Sequence, residues 1–132
     1  MSVTVKASLG TEKYYTTVIA GENQIITDEP VDKGGGNKGF NPFEILATSL
    51  ASCTAATLRM YFDRKGWEIP TINVTVELEN YPQTKSAQFC RVIDFGETEI
   101  KEEWIDKISK IADACPVHKL LNNDIEVLTK IK

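Results

Sequence analysis

Three cysteines are the residues of this chain best suited to redox or nucleophilic chemistry. Cys115 is followed by Pro116, and proline is favoured at the first position of a helix, so we expect Cys115 at a helix N-cap. Free N–H groups and the positive end of the helix dipole stabilise a thiolate there and lower its pKa, and Lys119 adds a positive charge one turn on. The alternative is a helix–helix corner in which the sulfur only caps the helix.

The other two cysteines can be explained by packing alone. Cys53 falls in the middle of an apolar segment, and free cysteine is among the residues most often buried. Cys90 lies beside Arg91 and alternates with Phe89 and Ile93, as one position of a strand would. Neither residue indicates reactivity by itself.

His118 is the only histidine and lies three residues after Cys115. A cysteine and a histidine on one helical turn could act as nucleophile and base in a hydrolase. The spacing does not aim the ring at the sulfur, and the sequence offers no identifiable third group to orient it. A surface or packed histidine is the simpler interpretation. The spacing typical of zinc ligands, such as Cys-x-x-Cys, is missing, so we expect no metal.

One helix must position Cys53, and its start is marked in the sequence. Asn41 is suited to cap it, and Pro42 falls at the first helical position. Glu44 falls at the third, an arrangement that resembles a capping box. The pattern predicts a helix that begins after Asn41.

The same helix is predicted to end near Asp63, with Gly66 as its C-terminal stop. Residues 47–57 carry no charge, and a helix that is uncharged on every face is usually buried on every face. Few monomers of this size can surround such a helix. We therefore expect it at the centre of a homodimer.

The remaining elements predict an α+β fold in a single domain over residues 1–132. Apolar alternation and β-rich composition indicate strands over 3–9, 14–19, 24–27, 72–78, 87–95 and 125–131. An apolar face predicts a helix over 101–114, and a short helix is expected over 116–121. Residues 28–40 are expected to form a mobile loop or the rim of a site, because four glycines and one proline interrupt both periodicities.

The composition is that of an ordinary globular protein and excludes several classes of partner. Hydrophobic residues make up 42% of the chain and charged residues 26%. The net charge of −4 is spread along the sequence, so we expect no nucleic-acid or anionic-membrane partner. No basic, apolar leader opens the chain, and the uncharged run Ile45–Leu58 is shorter than the ~20 residues of a membrane span. A cytoplasmic location with a reactive thiol is the expectation.

Two motifs together resemble the OsmC/Ohr family of osmotically inducible and organic hydroperoxide resistance proteins. They are Asn41-Pro42-Phe43-Glu44-Ile45-Leu46 with Ala51-Ser52-Cys53, and Cys115-Pro116-Val117-His118-Lys119-Leu120-Leu121. A strand–strand–helix segment separates them, and the order of elements is similar over nearly the whole chain. The resemblance implies an intertwined α+β homodimer with long buried central helices packed against β-sheets. It also implies two interface sites, each pairing the two motif cysteines.

The resemblance further implies reduction of organic hydroperoxides without a metal or organic cofactor. The Cys53 thiolate would attack the O–O bond and become a sulfenic acid, and Cys115 would condense with it to form a disulfide. An external dithiol would then reset the pair. Two alternatives stay open. One is a non-enzymatic dimer that binds a small apolar ligand at its interface, with inert or redox-sensing thiols. The other is a cysteine hydrolase that uses Cys115 and His118.

Efficient members of the family resemble one another in having an arginine in the N-terminal half of the chain that supports the reactive thiolate. A glutamate directly after the Asn-Pro pair holds that arginine. In this chain Phe43 follows Asn41-Pro42, Glu44 comes one place later, and no arginine precedes Arg59. A lysine, which lacks the bidentate fork of arginine, would have to substitute. The candidates are Lys6, Lys13, Lys33 and Lys38.

Helix geometry separates Glu44 from Cys53. Nine residues correspond to about half a revolution and roughly 13 Å along the axis, so the two side chains cannot touch within one straight helix. Glu44 is therefore explained at least as well by a capping role as by a catalytic one. Support for the Cys53 thiolate must come from elsewhere in the chain or from a partner subunit.

Overall fold

The computed structural model describes all 132 residues, Met1–Lys132, and is an α+β fold with five strands and three α-helices. The strands are β1 (Lys6–Leu9), β2 (Thr16–Ala20), β3 (Asn23–Thr27), β4 (Asn73–Tyr81) and β5 (Ser86–Asp94). The helices are α1 (Pro42–Lys65), α2 (Glu102–Asp113) and α3 (Pro116–Leu121). None of them combines the length and the apolar character that a membrane span needs.

Contacts group the chain into two compact units, residues 1–46 and residues 47–132, which are described separately below. The single domain over 1–132 stays a prediction. The α+β fold class is confirmed.

The first unit contains an antiparallel sheet in the order β1-β2-β3. Lys6 pairs with Ile19, and Thr16 pairs with Thr27, so each strand hydrogen-bonds only to its neighbour in sequence. Gly21 takes a φ of +61° in the tight turn between β2 and β3, a conformation that favours glycine. The three predicted strands are confirmed, although the first begins at Lys6 rather than at residue 3.

The loop over residues 28–40 is fastened by the buried carboxylate of Asp28, which is 2% exposed. It accepts hydrogen bonds from the backbone N–H groups of Tyr14, Glu29, Gly36 and Lys38. Two of the glycines allow close backbone approach, since a Cβ on Gly35 or Gly39 would collide with the carbonyl oxygens of Glu29 and Ile26 respectively. The segment is thus a hydrogen-bonded loop that includes one 3₁₀ turn, Val31–Lys33.

Helix α1 begins with the predicted capping box. The Asn41 N–H donates to Glu44 Oε1 at 2.8 Å, and the Glu44 N–H donates to Asn41 Oδ1 at 2.8 Å. Each side chain therefore satisfies a backbone donor that the helix itself leaves free. At the other end Gly66 takes a φ of +70° and directly follows the last helical residue, Lys65. The predicted stop at Gly66 is confirmed, and the helix extends two residues beyond Asp63.

Burial along α1 is confined to one face of the helix. That face consists of Leu50, Thr54, Leu58, Tyr61 and Phe62. Ser52, Ala56 and Met60, spaced four residues apart, are exposed, and Met60 is 71% exposed. The expected burial on every face is therefore not met within the single chain, because no element of this chain covers these residues. Burial of this face by a second copy stays a prediction.

The second unit is built on the hairpin of β4 and β5, in which Val76 pairs with Arg91 and Glu77 with Cys90. The predicted alternation of β4 is confirmed: Val74, Val76 and Leu78 are half-buried between exposed neighbours. The core of this unit contains Leu58, Tyr61, Phe62, Ile69 and Ile108, and the Trp67 and Trp104 rings stack beside it with centroids 4.0 Å apart.

Helices α2 and α3 meet at Cys115, which is the N-cap of α3 as predicted. Pro116 occupies the first position of α3, where its missing N–H costs nothing. The bounds of α2 and α3 confirm the helices predicted over 101–114 and 116–121.

The strand predicted over residues 125–131 is wrong for the single chain. These residues form neither helix nor strand, and Ile125, Val127, Leu128 and Ile131 are all more than 60% exposed. A strand needs a neighbour to satisfy its backbone N–H and C=O groups, and neither sheet of this chain offers this segment one.

Candidate active site

Cys53 and Cys115 lie together in the second unit, close enough that each thiol shifts the pKa of the other. Cys53 comes from the middle of α1, and Cys115 from the corner between α2 and α3. Both are free thiols. Cys53 is half-buried, whereas Cys115 is 0% exposed. The sulfur that a small molecule reaches more easily is therefore that of Cys53.

The pKa of Cys115 lies below its ordinary value. Burial alone would raise it, but the hydrogen bonds that stabilise the thiolate outweigh burial. The donors are, in order of effect, the Cys53 thiol, the backbone N–H groups of His118 and Val117, and the Thr54 hydroxyl. The predicted lowering at the helix N-cap is thus confirmed, with side-chain donors added to the backbone ones.

The pKa of Cys53 is raised. Burial is the largest cause, and the hydrogen bond to Cys115, together with the negative charge there, raises the pKa further. The Val117 N–H and the Thr57 hydroxyl lower it by less. The pKa values of the two cysteines therefore shift in opposite directions, and the thiolate is favoured at Cys115 over Cys53.

Arg91 lies on the inward face of β5 and reaches the elements around the pair. Its Nη1 donates to Thr54 Oγ1 at 2.9 Å and to the Ala112 carbonyl oxygen at 3.2 Å. Its Nη2 donates to Asp113 Oδ1 at 2.9 Å, and the Arg91 side chain is only 12% exposed. The guanidinium therefore joins β5 to α1 and to the end of α2 beside Cys115.

The His118 ring contacts the same guanidinium. Its Nδ1 lies 3.3 Å from Arg91 Nη2, which requires Nδ1 to accept the hydrogen bond, and 3.9 Å from Asp113 Oδ1. Asp113 and Arg91 thus supply the orienting groups that the sequence did not reveal. These two side chains contact the ring nitrogen, whereas the backbone N–H of His118 acts on Cys115, where it lowers the pKa of the thiol. A role of the ring as base for Cys115 stays a hypothesis that these contacts do not favour.

A cavity of about 1080 Å³ lies against β5 and α2 in the second unit. Arg91 and His118 contribute to its wall, but neither Cys53 nor Cys115 does. Its apolar lining is formed by Leu50, Ile93, Phe95, Ile100, Ile105, Ile108 and Leu121, among others. A small apolar group could occupy it next to the Arg91 network.

The other predicted site residues have structural partners of their own. Lys38 forms an ion pair with Glu12, with Nζ 2.9 Å from Oε2. Glu44 holds the capping box of α1. Both belong to the first unit, so their part in the chemistry stays a prediction. Cys90 is exposed on β5, and strand alternation directs it to the opposite face from Arg91.

Sequence reasoning missed Arg91, Thr54, Thr57 and Asp113. One signal for Arg91 was available, because Phe89, Arg91 and Ile93 occupy alternate positions and an arginine between two apolar neighbours on an inward face needs partners. Thr54 and Thr57 follow Cys53 by one and four residues, but nothing local indicates which hydroxyl contacts which sulfur.

The family model described as OsmC-like protein matches residues 35–130. A comparison with curated protein sequences found no match.

Among solved structures, a Psychrobacter arcticus protein, provisionally described as an osmotic stress induced and detoxification response protein, is 28% identical with a TM-score of 0.77. The alignment covers 91% of this chain and 88% of that one. An OsmC-like protein from Mycoplasma pneumoniae is 22% identical with a TM-score of 0.73, covering 92% and 88% of the two chains. The organic hydroperoxide resistance protein OhrB of Bacillus subtilis is 18% identical with a TM-score of 0.63, covering 94% and 93%.

Proposed function

Because this chain belongs to the OsmC-like family, we propose that it is a thiol peroxidase that reduces organic hydroperoxides through Cys53 and Cys115. The observation that carries the proposal is the proximity of the two thiols, one on α1 and one at the N-cap of α3, each of which shifts the pKa of the other. The organic hydroperoxide resistance named for the Bacillus subtilis structure supports the choice of substrate class.

The first step of the proposed cycle is attack by the Cys53 sulfur on the terminal oxygen of the hydroperoxide. The O–O bond breaks, the alcohol leaves after taking up a proton, and Cys53 is oxidised to a sulfenic acid. Cys53 is the attacking residue because its sulfur is the more accessible of the two. Its thiol proton passes to Cys115 and from there to the departing alkoxide, so that Cys115 is a thiolate again once the sulfenic acid has formed.

The second step forms the disulfide. The Cys115 thiolate attacks the Cys53 sulfur, and the hydroxide that leaves takes up a proton to become water. The lowered pKa of Cys115 favours its nucleophilic thiolate form. An external dithiol then reduces the disulfide by two thiol–disulfide exchanges and is itself oxidised. Neither step calls for a metal or an organic cofactor.

We assign the active form to a homodimer in the cytoplasm, where thiols are kept reduced. The exposed face of α1, with Ser52, Ala56 and Met60, and the exposed apolar residues of 125–131 supply surface for a second copy. Small side chains on α1 would allow close approach between the two helices.

The proposal is tested by following consumption of cumene hydroperoxide in the presence of dithiothreitol. We expect Cys53→Ser to lose at least about a hundredfold in rate, because it removes the attacking atom. Cys90→Ser, a matched control at an exposed cysteine, should retain the full rate. Equal rates in Cys53→Ser and the unmodified protein would overturn the proposal.

The cavity of about 1080 Å³ favours a second candidate, a protein that binds a small apolar ligand and has inert or redox-sensing thiols. Its test is binding of a fluorescent apolar probe to the reduced protein. Under this candidate Cys53→Ser leaves probe binding intact and the unmodified protein consumes no hydroperoxide. Ile108→Asp, a substitution in the cavity wall, would abolish probe binding in a folded variant.

A further inference from the structure

We propose that the cavity of about 1080 Å³ binds a neutral, apolar small molecule with one hydrogen-bond-accepting oxygen, which takes its hydrogen bond from His118 Nε2. The cavity wall includes neither Cys53 nor Cys115, so this site is separate from the cysteine pair. The inference rests on the same cavity as the ligand-binding candidate, for which it names the class of ligand. It does not depend on whether the cysteines reduce peroxides.

The wall of the cavity is apolar apart from one half-buried polar position. Leu50 and Ile108, which are 3% and 6% exposed, lie in this wall together with half-buried Phe95. Arg91 and His118 are half-buried as well. The other charged, hydroxyl and amide residues of the wall are exposed, namely Gln88, Ser109, Asp113 and Asn122. A ligand in the cavity therefore meets mainly apolar surface, and its polar group is best placed beside Arg91 and His118.

The contact between Arg91 and His118 determines which nitrogen of the ring is a donor. A guanidinium can only donate, so His118 Nδ1, which lies 3.3 Å from Arg91 Nη2, accepts. The proton of the neutral ring is therefore assigned to Nε2. Nε2 has no hydrogen-bond partner in the chain, and no buried side-chain nitrogen or oxygen lacks one, so Nε2 is accessible to solvent. Its N–H is the donor that the Arg91 network leaves available to a ligand.

The charges beside His118 favour a neutral ligand. Arg91 Nη2 lies 2.9 Å from Asp113 Oδ1, and Arg91 Nη1 donates to the Thr54 hydroxyl and the Ala112 carbonyl oxygen. The ion pair carries no net charge, and both terminal nitrogens of the guanidinium already have acceptors. A carboxylate ligand would gain no unpaired cation here and would be repelled by Asp113. A neutral oxygen needs only one donor, and the N–H at His118 Nε2 supplies it.

The test measures the affinity of the reduced protein for two fluorescent naphthalenes by titrating their emission. Prodan is neutral and apolar and has one ketone oxygen, and in the second probe, its analogue, a CH₂ group replaces that carbonyl. His118→Phe retains an aromatic ring but no donor. We expect it to weaken prodan binding about fivefold, the effect of one lost hydrogen bond, and to leave binding of the analogue unchanged. His118→Gln, whose amide N–H can take the place of the Nε2 donor, should keep most of the affinity for prodan.

Lys110→Met is the matched control, because Lys110 is exposed on α2 and lies outside the cavity wall, so neither affinity should change. Circular dichroism identifies variants that do not fold, and His118→Leu replaces His118→Phe if that variant is among them. Unchanged prodan affinity in the folded variant, or equal weakening of both probes, would overturn the inference and leave the ligand-binding candidate standing. If neither probe bound the unmodified protein, both would be overturned. The peroxidase proposal is unaffected by either result, since hydroperoxide consumption is measured independently.

Discussion

Arg91 Nη1 donates a 2.9 Å hydrogen bond to the Thr54 hydroxyl, across 37 positions of sequence. Thr54 directly follows Cys53 on α1, and the same Nη1 binds the Ala112 carbonyl close to Cys115. One largely buried side chain on β5 therefore links the two segments that carry the thiols. This relationship makes a prediction for the stability of the fold.

Thr54→Val removes the acceptor of Arg91 Nη1 while conserving volume. The largely buried Arg91 guanidinium then loses one hydrogen-bond acceptor. We therefore expect the free energy of unfolding to fall by about 1–2 kcal/mol. Urea denaturation of the reduced protein measures it, with Thr57→Val as a control for the loss of a hydroxyl on the same helix that Arg91 does not contact. A Thr54→Val protein more stable than the unmodified one would show that the hydroxyl is not needed there.

Glu44→Gln separates a capping role from a catalytic one. Glutamine retains the oxygen that accepts from the Asn41 N–H, so the variant should lose less than about 0.5 kcal/mol of stability and keep its hydroperoxide reduction rate. Glu44→Ala, in contrast, should cost about 1 kcal/mol. Urea denaturation and the hydroperoxide assay are run on both variants. A stable Glu44→Gln protein with a rate reduced tenfold would instead assign the carboxylate a catalytic part.

Asp28→Asn tests the carboxylate that fastens the loop over residues 28–40. Asparagine cannot accept all four backbone hydrogen bonds, so we expect a Tm lower by roughly 5 °C at neutral pH. Burial acts to raise the pKa of Asp28, but the four backbone N–H donors hold it below its ordinary value of 3.8. The carboxylate's contribution is therefore complete above the unfolded-state pKa and is lost as the pH falls through the lower folded-state pKa.

Thermal unfolding across pH checks this sign. The Tm difference between the native protein and Asp28→Asn should be constant above about pH 5 and shrink at lower pH. Asp32→Asn, at an exposed aspartate in the same segment, should show no such pattern. A Tm difference that grew on acidification would contradict the assignment.

Local patterns predicted the elements whose partners are close in sequence. Asn41 and Glu44 are three residues apart, so a capping box could be inferred from side-chain types alone, and its two hydrogen bonds confirm it. Alternation identified β4, and Pro116 identified the N-cap at Cys115. In each case the signal and the structure it predicts lie within a few residues.

Patterns that depend on distant partners were less informative. The residues over 125–131 alternate like a strand, but a strand requires a neighbouring strand that this chain does not offer it. The network of Arg91 could not be predicted, because its partners Thr54 and Asp113 lie 37 and 22 positions away. Only the folded arrangement of β5 against α1 and α2 brings them together.

Met60→Glu tests the proposed homodimer. Met60 is 71% exposed in the single chain, in line with Ala56 and Ser52, so a charge there would be buried at an interface formed by this face. We expect dimer dissociation to become at least about tenfold more favourable, measured by sedimentation velocity. Met60→Leu should dimerise normally. A native protein that stays monomeric, or a dimer indifferent to Met60→Glu, would contradict the proposed interface.

The most direct measurement is a count of free thiols in fully reduced protein after one equivalent of cumene hydroperoxide. The account predicts rapid loss of two of the three thiols, with a Cys53–Cys115 disulfide identified by peptide mapping. Cys53→Ser should lose none at this rate, and Cys115→Ser should stop with a sulfenic acid at Cys53. Three thiols that persist for minutes in the unmodified protein would contradict the peroxidase cycle and favour the ligand-binding candidate.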